Sequence, residues 1–447
     1  MGRSTLCAVL LVLSASQVAA DWSRFRGPDG SGSVSGPAVP SEWSLENNLK
    51  WRTALVGKGL SSPIVHGERV FVTAYTGYGM DRRKPGEVAD LVRHLLAFDR
   101  ATGEEVWRAS VKTPGGEDPY EGFLTQHGYA SSTPVTDGER VYALLGRSGL
   151  YAFDWEGKEL WRQEVGTKSD PARWGSAASP ILVGDVLVVN AGILGHHVLG
   201  LDKRTGRQLW ALENPAFTNS WATPAVYRGS EGTQVLLHFP FKVIALEPQT
   251  GKVLWSARTP LDDSAVPSIV IRDDVAFLMG SRAGHGMAVR LGGSGDVSGT
   301  HVLWQRKLRA GITTPVIVDD AIYWASNGIF MAHDLATGEP IFRARLPRIG
   351  APTGRFPNVD YSSPIVVAGK IIQLTRSGES YVIEPGKELR LAGHNAAFEG
   401  DETAFSATPA ASGGELFLRS EGFLYCIAAA SEPGGDDPPQ PANQASR

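Results

Sequence analysis

One pattern returns along the chain about every 45 residues, and it limits the fold more than any other feature. Each unit opens on small residues and a proline, followed by β-branched or small apolar residues. The openings are Ser61-Ser62-Pro63-Ile64-Val65, Ser132-Thr133-Pro134-Val135, Ala178-Ser179-Pro180-Ile181 and Ala222-Thr223-Pro224-Ala225, then Ala265-Val266-Pro267-Ser268, Thr313-Thr314-Pro315-Val316, Ser362-Ser363-Pro364-Ile365 and Ala407-Thr408-Pro409-Ala410. Proline to proline, these eight starts are 71, 46, 44, 43, 48, 49 and 45 residues apart. Units of this length with strand-like content are propeller blades of about four strands. A chain of 447 residues would otherwise suggest two or three domains. A ring of blades needs only one, because each unit buries its face on its neighbours.

The second half of each unit carries a stereotyped turn. Its fullest copy is Ala97-Phe98-Asp99-Arg100-Ala101-Thr102-Gly103-Glu104-Glu105-Val106-Trp107, with close copies at 200–210 and 245–255. The Asp can accept backbone N–H bonds inside the turn, and the Gly can take the positive φ that the turn requires. The closing Trp is a large apolar plate with one N–H to satisfy. Trp51, Trp107, Trp161, Trp210, Trp255 and Trp304 are therefore read as structural plates docked between blades. In the fifth unit the turn gives way to a Gly/Ser-rich loop at 292–300, and the seventh copy, at 382–391, is the most degraded.

The two ends complement each other. Lys50-Trp51-Arg52-Thr53-Ala54 looks like the last strand of a blade whose earlier strands are missing, and residues 407–427 supply three strands and stop. One blade made from both ends would close the ring and pair its open edges. The expected fold is all-β: an eight-bladed β-propeller of four-stranded antiparallel blades, closed by N- and C-terminal strands. The expected organisation is a signal peptide at 1–20, an N-terminal extension at 21–42, the propeller at 43–430 and a disordered tail at 431–447, which is rich in Ser, Pro, Gly, Asp and Gln.

Residues 1–20 carry Arg3, a short apolar run from Leu6 to Leu13, and small residues before Asp21. That run is too short to span a bilayer. A cleaved signal and a periplasmic or secreted protein without a membrane span are expected. Cys7 lies inside the signal rather than at its end, which argues against a lipoprotein. Cys426 would then stand alone, best buried, with no intrachain disulfide. A net charge of -4 gives no footprint for nucleic acid, and the short basic run Arg82-Arg83-Lys84 reads as a solvated loop. A monomer is expected.

The unit Ala-x-Asp-x-x-Thr-Gly-x-x-x-Trp resembles the tryptophan-docking repeat of pyrroloquinoline quinone (PQQ) dehydrogenases and of the outer-membrane-assembly lipoprotein that shares their eight-bladed fold. The resemblance covers residues 43–430. The opening Asp21-Trp22-Ser23-Arg24-Phe25-Arg26-Gly27-Pro28 looks like the start of exported propellers of this group. The resemblance implies the fold strongly and the activity weakly, since one scaffold hosts enzymes and binding platforms alike. The alcohol-oxidising members place PQQ near a vicinal disulfide, with a divalent or lanthanide ion held by carboxylate and amide side chains. This chain has no Cys-Cys pair, no Cys-x-x-Cys-His and no matching carboxylate set.

Segments leading into the innermost strands should converge at one mouth of the central channel. They carry Gln126, His127 and Tyr129; Arg173 and Trp174; Asn219 and Trp221; Asp263; Arg309; and Asn358, Asp360 and Tyr361. Charged and aromatic groups on one concave face suit a ligand site, and in the family the quinone binds at such a place. Inter-blade packing is the competing explanation for each. Insertions at 76–92 and 112–124 flank the first blade and could carry specificity. Glu117-Asp118 and Asp262-Asp263 read as loop carboxylates or a cation site. The favoured function is a non-catalytic binding or scaffold module for a cell-envelope protein, peptide or polymer, with no metal assigned. One alternative is a PQQ-dependent oxidoreductase, with a divalent cation, acting on an alcohol or sugar. Another is a glycan-binding propeller that stacks sugars on Trp174 and Trp221.

Overall fold

The computed structural model describes residues 21–261, 264–281, 284–309, 311–347 and 360–430. Their strands form eight sheets, each with four antiparallel strands in meander order. The eighth sheet joins Leu49–Ala54 to Phe423–Ile427, so the ends of the chain close the ring. Arg419 reinforces this closure from within. Its guanidinium is buried and donates to the carbonyls of Ser61 and Thr73 in the first blade, at 2.8 Å each. Cys426 is fully buried in the closing blade.

The sequence of each strand fits its radius. Second and third strands are apolar on both faces because they lie between neighbouring blades; Val70–Val72 and Leu95–Ala97 are fully buried. Outer strands alternate, as in Glu105–Lys112, because one face meets solvent.

The Ser/Thr-Pro starts have a common role. In seven of the eight blades, the residue two positions before the innermost strand uses its hydroxyl to accept a backbone N–H from the preceding blade. Ser62 donates to Thr133, Thr133 to Ser179, Ser179 to Thr223 and Thr223 to Ser268. Ser268 donates to Thr314, Thr314 to Ser363 and Ser363 to Thr408, all at 2.9–3.1 Å. The seven bonds run around the channel from the first blade to the eighth and tie successive blades together at its wall. They also correct the reading of the fifth start. The repeat residue there is Ser268, followed by Ile269 where other blades have proline, so Pro267 is two residues early. In the corrected register the fifth blade loses its irregular spacing.

Residues 21–34 cross the channel. Trp22 pairs with Val65 of the first blade, and the Ser23 carbonyl accepts from Thr136 of the second. The buried Arg26 donates to the carbonyls of Thr314 and Pro364 at 3.2 and 3.1 Å. Ser33–Val34 then runs parallel to the innermost strand Ile365–Val367 of the seventh blade.

Candidate functional site at the channel mouth

Two kinds of aromatic residue meet the ring, and only one belongs to the repeat. On the rim, Trp51, Trp107, Trp161, Trp210 and Trp304 make the same contact. Each donates Nε1–H to a turn carbonyl of the next blade, those of Arg100, Trp155, Lys203, Pro248 and Leu335, at 2.8–3.1 Å. Each also lies flat on the turn glycine. A Cβ on Gly251, which sits at φ +70°, would come within 2.5 Å of the Trp210 ring. Trp255 departs from this scheme. The fifth blade has no Thr-Gly turn to receive it, so it donates to Gln234 Oε1 in its own blade at 2.9 Å. Gly295–Asp296, from the loop that replaces that turn, pairs alongside it as an added parallel strand.

At the mouth, a cavity of about 330 Å3 runs down to the hydroxyl ring. Phe25, from the crossing N-terminal segment, meets it from beyond the ring. Its upper wall is an aromatic run from the connections after the first three blades. Phe123 and Trp174 have ring centroids 5.1 Å apart, as do Trp174 and Trp221, and His127 lies 5.8 Å from Phe123. Trp221 is fixed by donating Nε1–H to the Gly175 carbonyl at 2.7 Å. Asp170, drawing in the Trp174 N–H at 2.8 Å, shapes the loop that presents Trp174. Tyr361 completes the wall from the seventh blade.

Among the sequence candidates, His127, Trp174, Trp221 and Tyr361 thus line one cavity. Gln126 stands behind them, buried, and accepts from Arg376 Nη1 at 2.7 Å. Burial pushes the His127 ring down to about pH 4, with Arg376 adding to this and the Trp174 carbonyl opposing it, so the ring is neutral at pH 7. Its Nδ1 is 3.1 Å from Ser131 Oγ.

The remaining described candidates do not reach the cavity lining. Tyr129 belongs to a separate cluster with Tyr75, Tyr78 and Tyr120, and its hydroxyl donates to the Asp118 carbonyl at 2.7 Å. Arg173 is strained, at φ +55°, and points outward near Glu121. Asn219 adopts φ +51°, and its carbonyl accepts from Ala265. Arg309 is exposed and binds the Ser326 carbonyl. Asp360 is buried, accepts from the Gly328 N–H at 2.6 Å, and is pushed up to about 6 by its burial. Asp263 and Asn358 lie outside the described residues. Glu117 and Asp118 are spent on arginines, pairing with Arg93 at 2.8 Å and Arg147 at 3.2 Å.

Sequence reasoning missed Phe25, Phe123 and Arg376. Phe123 lies in the 112–124 insertion, whose length was its only signal. Arg376 sits in a hairpin turn of the seventh blade, with its guanidinium carbon 5.3 Å from the Tyr361 ring, and nothing in the repeat marks it.

The family model described as outer membrane protein assembly factor BamB matches residues 93–344. A curated relative, outer membrane protein assembly factor BamB of Nitrosomonas eutropha, is 27% identical over 177 residues, which is 38% of this chain and 35% of the relative. The match therefore spans about a third of that relative's length. Among solved structures, BamB from Moraxella catarrhalis superposes with a TM-score of 0.58 at 14% identity, over 85% of this chain and 98% of the other. A europium-containing methanol dehydrogenase gives 0.63 at 11% identity, over 92% and 98% of the two chains. A quinohemoprotein alcohol dehydrogenase from Comamonas testosteroni gives 0.63 at 12%, over 94% and 82%. At such identities the structural likeness is one of fold.

Proposed function

The chain belongs to the family described as outer membrane protein assembly factor BamB, and from that membership we propose that it is a non-catalytic binding module of the cell envelope whose ligand or partner seats at the channel mouth. The observation that carries this reading is the mouth cavity itself. An aromatic wall assembled from three successive inter-blade connections stands over a concave, mostly apolar space, the form that binding sites take. An envelope location draws on the family and on the signal-like residues 1–20, which lie outside the described residues. No helix among the described residues is long and apolar enough to cross a membrane. A cell-envelope protein, peptide or polymer is the partner class, and the protein acts as a monomer.

The PQQ-dependent alternative takes its support from fold neighbours, but the described residues at the mouth do not fit that cofactor. PQQ carries three carboxylates, and its divalent cation needs carboxylate ligands. The described lining contains no Asp, Glu, Lys or Arg. No group of three His, Cys, Asp or Glu suited to a metal occurs among the described residues.

A photo-crosslinking amino acid placed at Phe123 and, separately, at the exposed rim residue Leu160 tests the proposal in cells. A discrete adduct from position 123 with none from position 160 is expected. Equal labelling from both positions, or dye-linked alcohol oxidation by the protein loaded with PQQ and calcium, would remove it.

A further inference from the structure

We infer that the channel-mouth pocket selects an uncharged, flat ligand bearing hydrogen-bond acceptors on the end it inserts; this rests on the binding reading above and specifies its ligand. Three features of the pocket point the same way.

The first is the hydroxyl ring at its base. Thr133, Ser179, Thr223, Ser268, Thr314, Ser363 and Thr408 each spend one lone pair on a neighbouring N–H. A hydroxyl that accepts still has its own proton to give. Among the described residues none of these seven donates that proton, and all of them line the cavity. Ser406, on the same lining, is 5% exposed, and its Oγ has no hydrogen-bond partner among the described residues. The base of the pocket therefore offers O–H donors from several directions and rewards a group that accepts.

The second is the absence of charge. The described lining holds no acidic or basic side chain except His127, which burial keeps neutral at pH 7. The buried Arg376 guanidinium beside Tyr361 is turned onto Gln126, which takes both of its Nη groups. An ion entering among these described lining groups would lose hydration without meeting a charged side chain on the lining, and such desolvation is costly.

The third is shape. The Phe123–Trp174–Trp221 run presents apolar rings in sequence along one side, and aromatic stacking favours a flat partner. A cavity of about 330 Å3 holds a ligand of two fused rings.

Each ring hydroxyl also supports a backbone bond, so removing one would perturb the scaffold. Three matched probes avoid this problem. Coumarin is flat, neutral and carries a lactone. Naphthalene has nearly the same shape without acceptors. Coumarin-3-carboxylate adds a negative charge. Equilibrium dialysis of the full-length protein against each, at pH 7, should give saturable binding of coumarin. Its affinity should exceed that of naphthalene roughly tenfold, the effect of one or two hydrogen bonds. The carboxylate should bind at least tenfold more weakly than coumarin, and Trp174→Ala should weaken coumarin binding.

Naphthalene matching coumarin would show that the hydroxyls are not read. Tighter binding of the carboxylate would overturn the charge argument, and unchanged coumarin affinity in Trp174→Ala would put the site elsewhere. If no probe binds but position 123 still crosslinks in cells, this inference fails and the binding reading stands. If both fail, the reading falls too.

Discussion

On the rim of this propeller, Trp51, Trp107, Trp161, Trp210 and Trp304 repeat one contact with little variation. At the mouth, the blades contribute unlike groups, with two tryptophans the one repetition among the described aromatics they supply. The wall is Phe123, Trp174, Trp221, Tyr361 and a neutral His127, drawn from connections of unequal length. Both regions are rich in aromatics, so composition does not separate them. Periodicity does: where every blade must meet the next in the same way, the residue is fixed by packing. Where the blades converge on a space none of them fills, the residues are released from the repeat and can be shaped by a ligand. Blades four and five show the rule from the other side, since losing the turn in one blade frees Trp255 of its neighbour to find a different partner.

The comparison can be broken most severely at ring closure. Deleting residues 21–54 removes the strand Leu49–Ala54 and the segment that crosses the channel. The truncated chain should show no cooperative thermal transition. A normal melt would mean that closure does not hold the ring.

Next in size is a rim tryptophan. Trp210→Ala empties a buried inter-blade plate and should cost about 3–5 kcal/mol in denaturant unfolding. Trp174→Ala, half-buried at the mouth, should cost about 1–2 kcal/mol. Equal costs would erase the distinction between rim and mouth.

The mouth should also show itself in pH dependence. His127 has a folded-state value of about 4, held below the ordinary 6.5 chiefly by burial. A group depressed on folding contributes stability that is full above pH 6.5 and is lost as pH falls towards 4. The loss should be about 3 kcal/mol over that window. Asp360, raised to about 6 by burial, acts in the opposite sense, so the informative quantity is the parent's slope minus that of His127→Gln. Parallel slopes in urea titrations from pH 7 to pH 4 would contradict a neutral, buried His127.

The smallest effect lies in the hydroxyl ring. Thr223→Val leaves the buried Ser179 N–H without its acceptor and should cost about 1–2 kcal/mol, whereas Thr223→Ser should restore most of it. If serine rescues no better than valine, the loss is one of shape rather than of the hydrogen bond.

The fold was largely legible in the sequence because its determinants are local and repeated. The Ser/Thr-Pro starts, the Asp-Thr-Gly turns and the split eighth blade could all be read by spacing. The misreading at Pro267 shows the limit of that method. The physical requirement in the fifth blade is the hydroxyl of Ser268, and a nearby proline imitated the rest of the signal. The mouth was legible only in part. His127, Trp174, Trp221 and Tyr361 could be placed because they directly precede repeat starts. Tyr129 and Arg173 precede starts too, but one turns back into a tyrosine cluster and the other adopts φ +55° and faces out. Side-chain direction in an aperiodic connection depends on its local backbone path, which no period encodes. Arg376 reaches Gln126 from 250 residues away, a pairing only the closed ring creates.

The most direct test of the account is coumarin affinity measured side by side in Trp210→Ala and Trp174→Ala at a temperature where both are folded. The account predicts that the rim variant, though less stable, binds as the parent does, while the mouth variant loses affinity and keeps most of its stability. Affinity lost from the rim variant and retained by the mouth variant would contradict it.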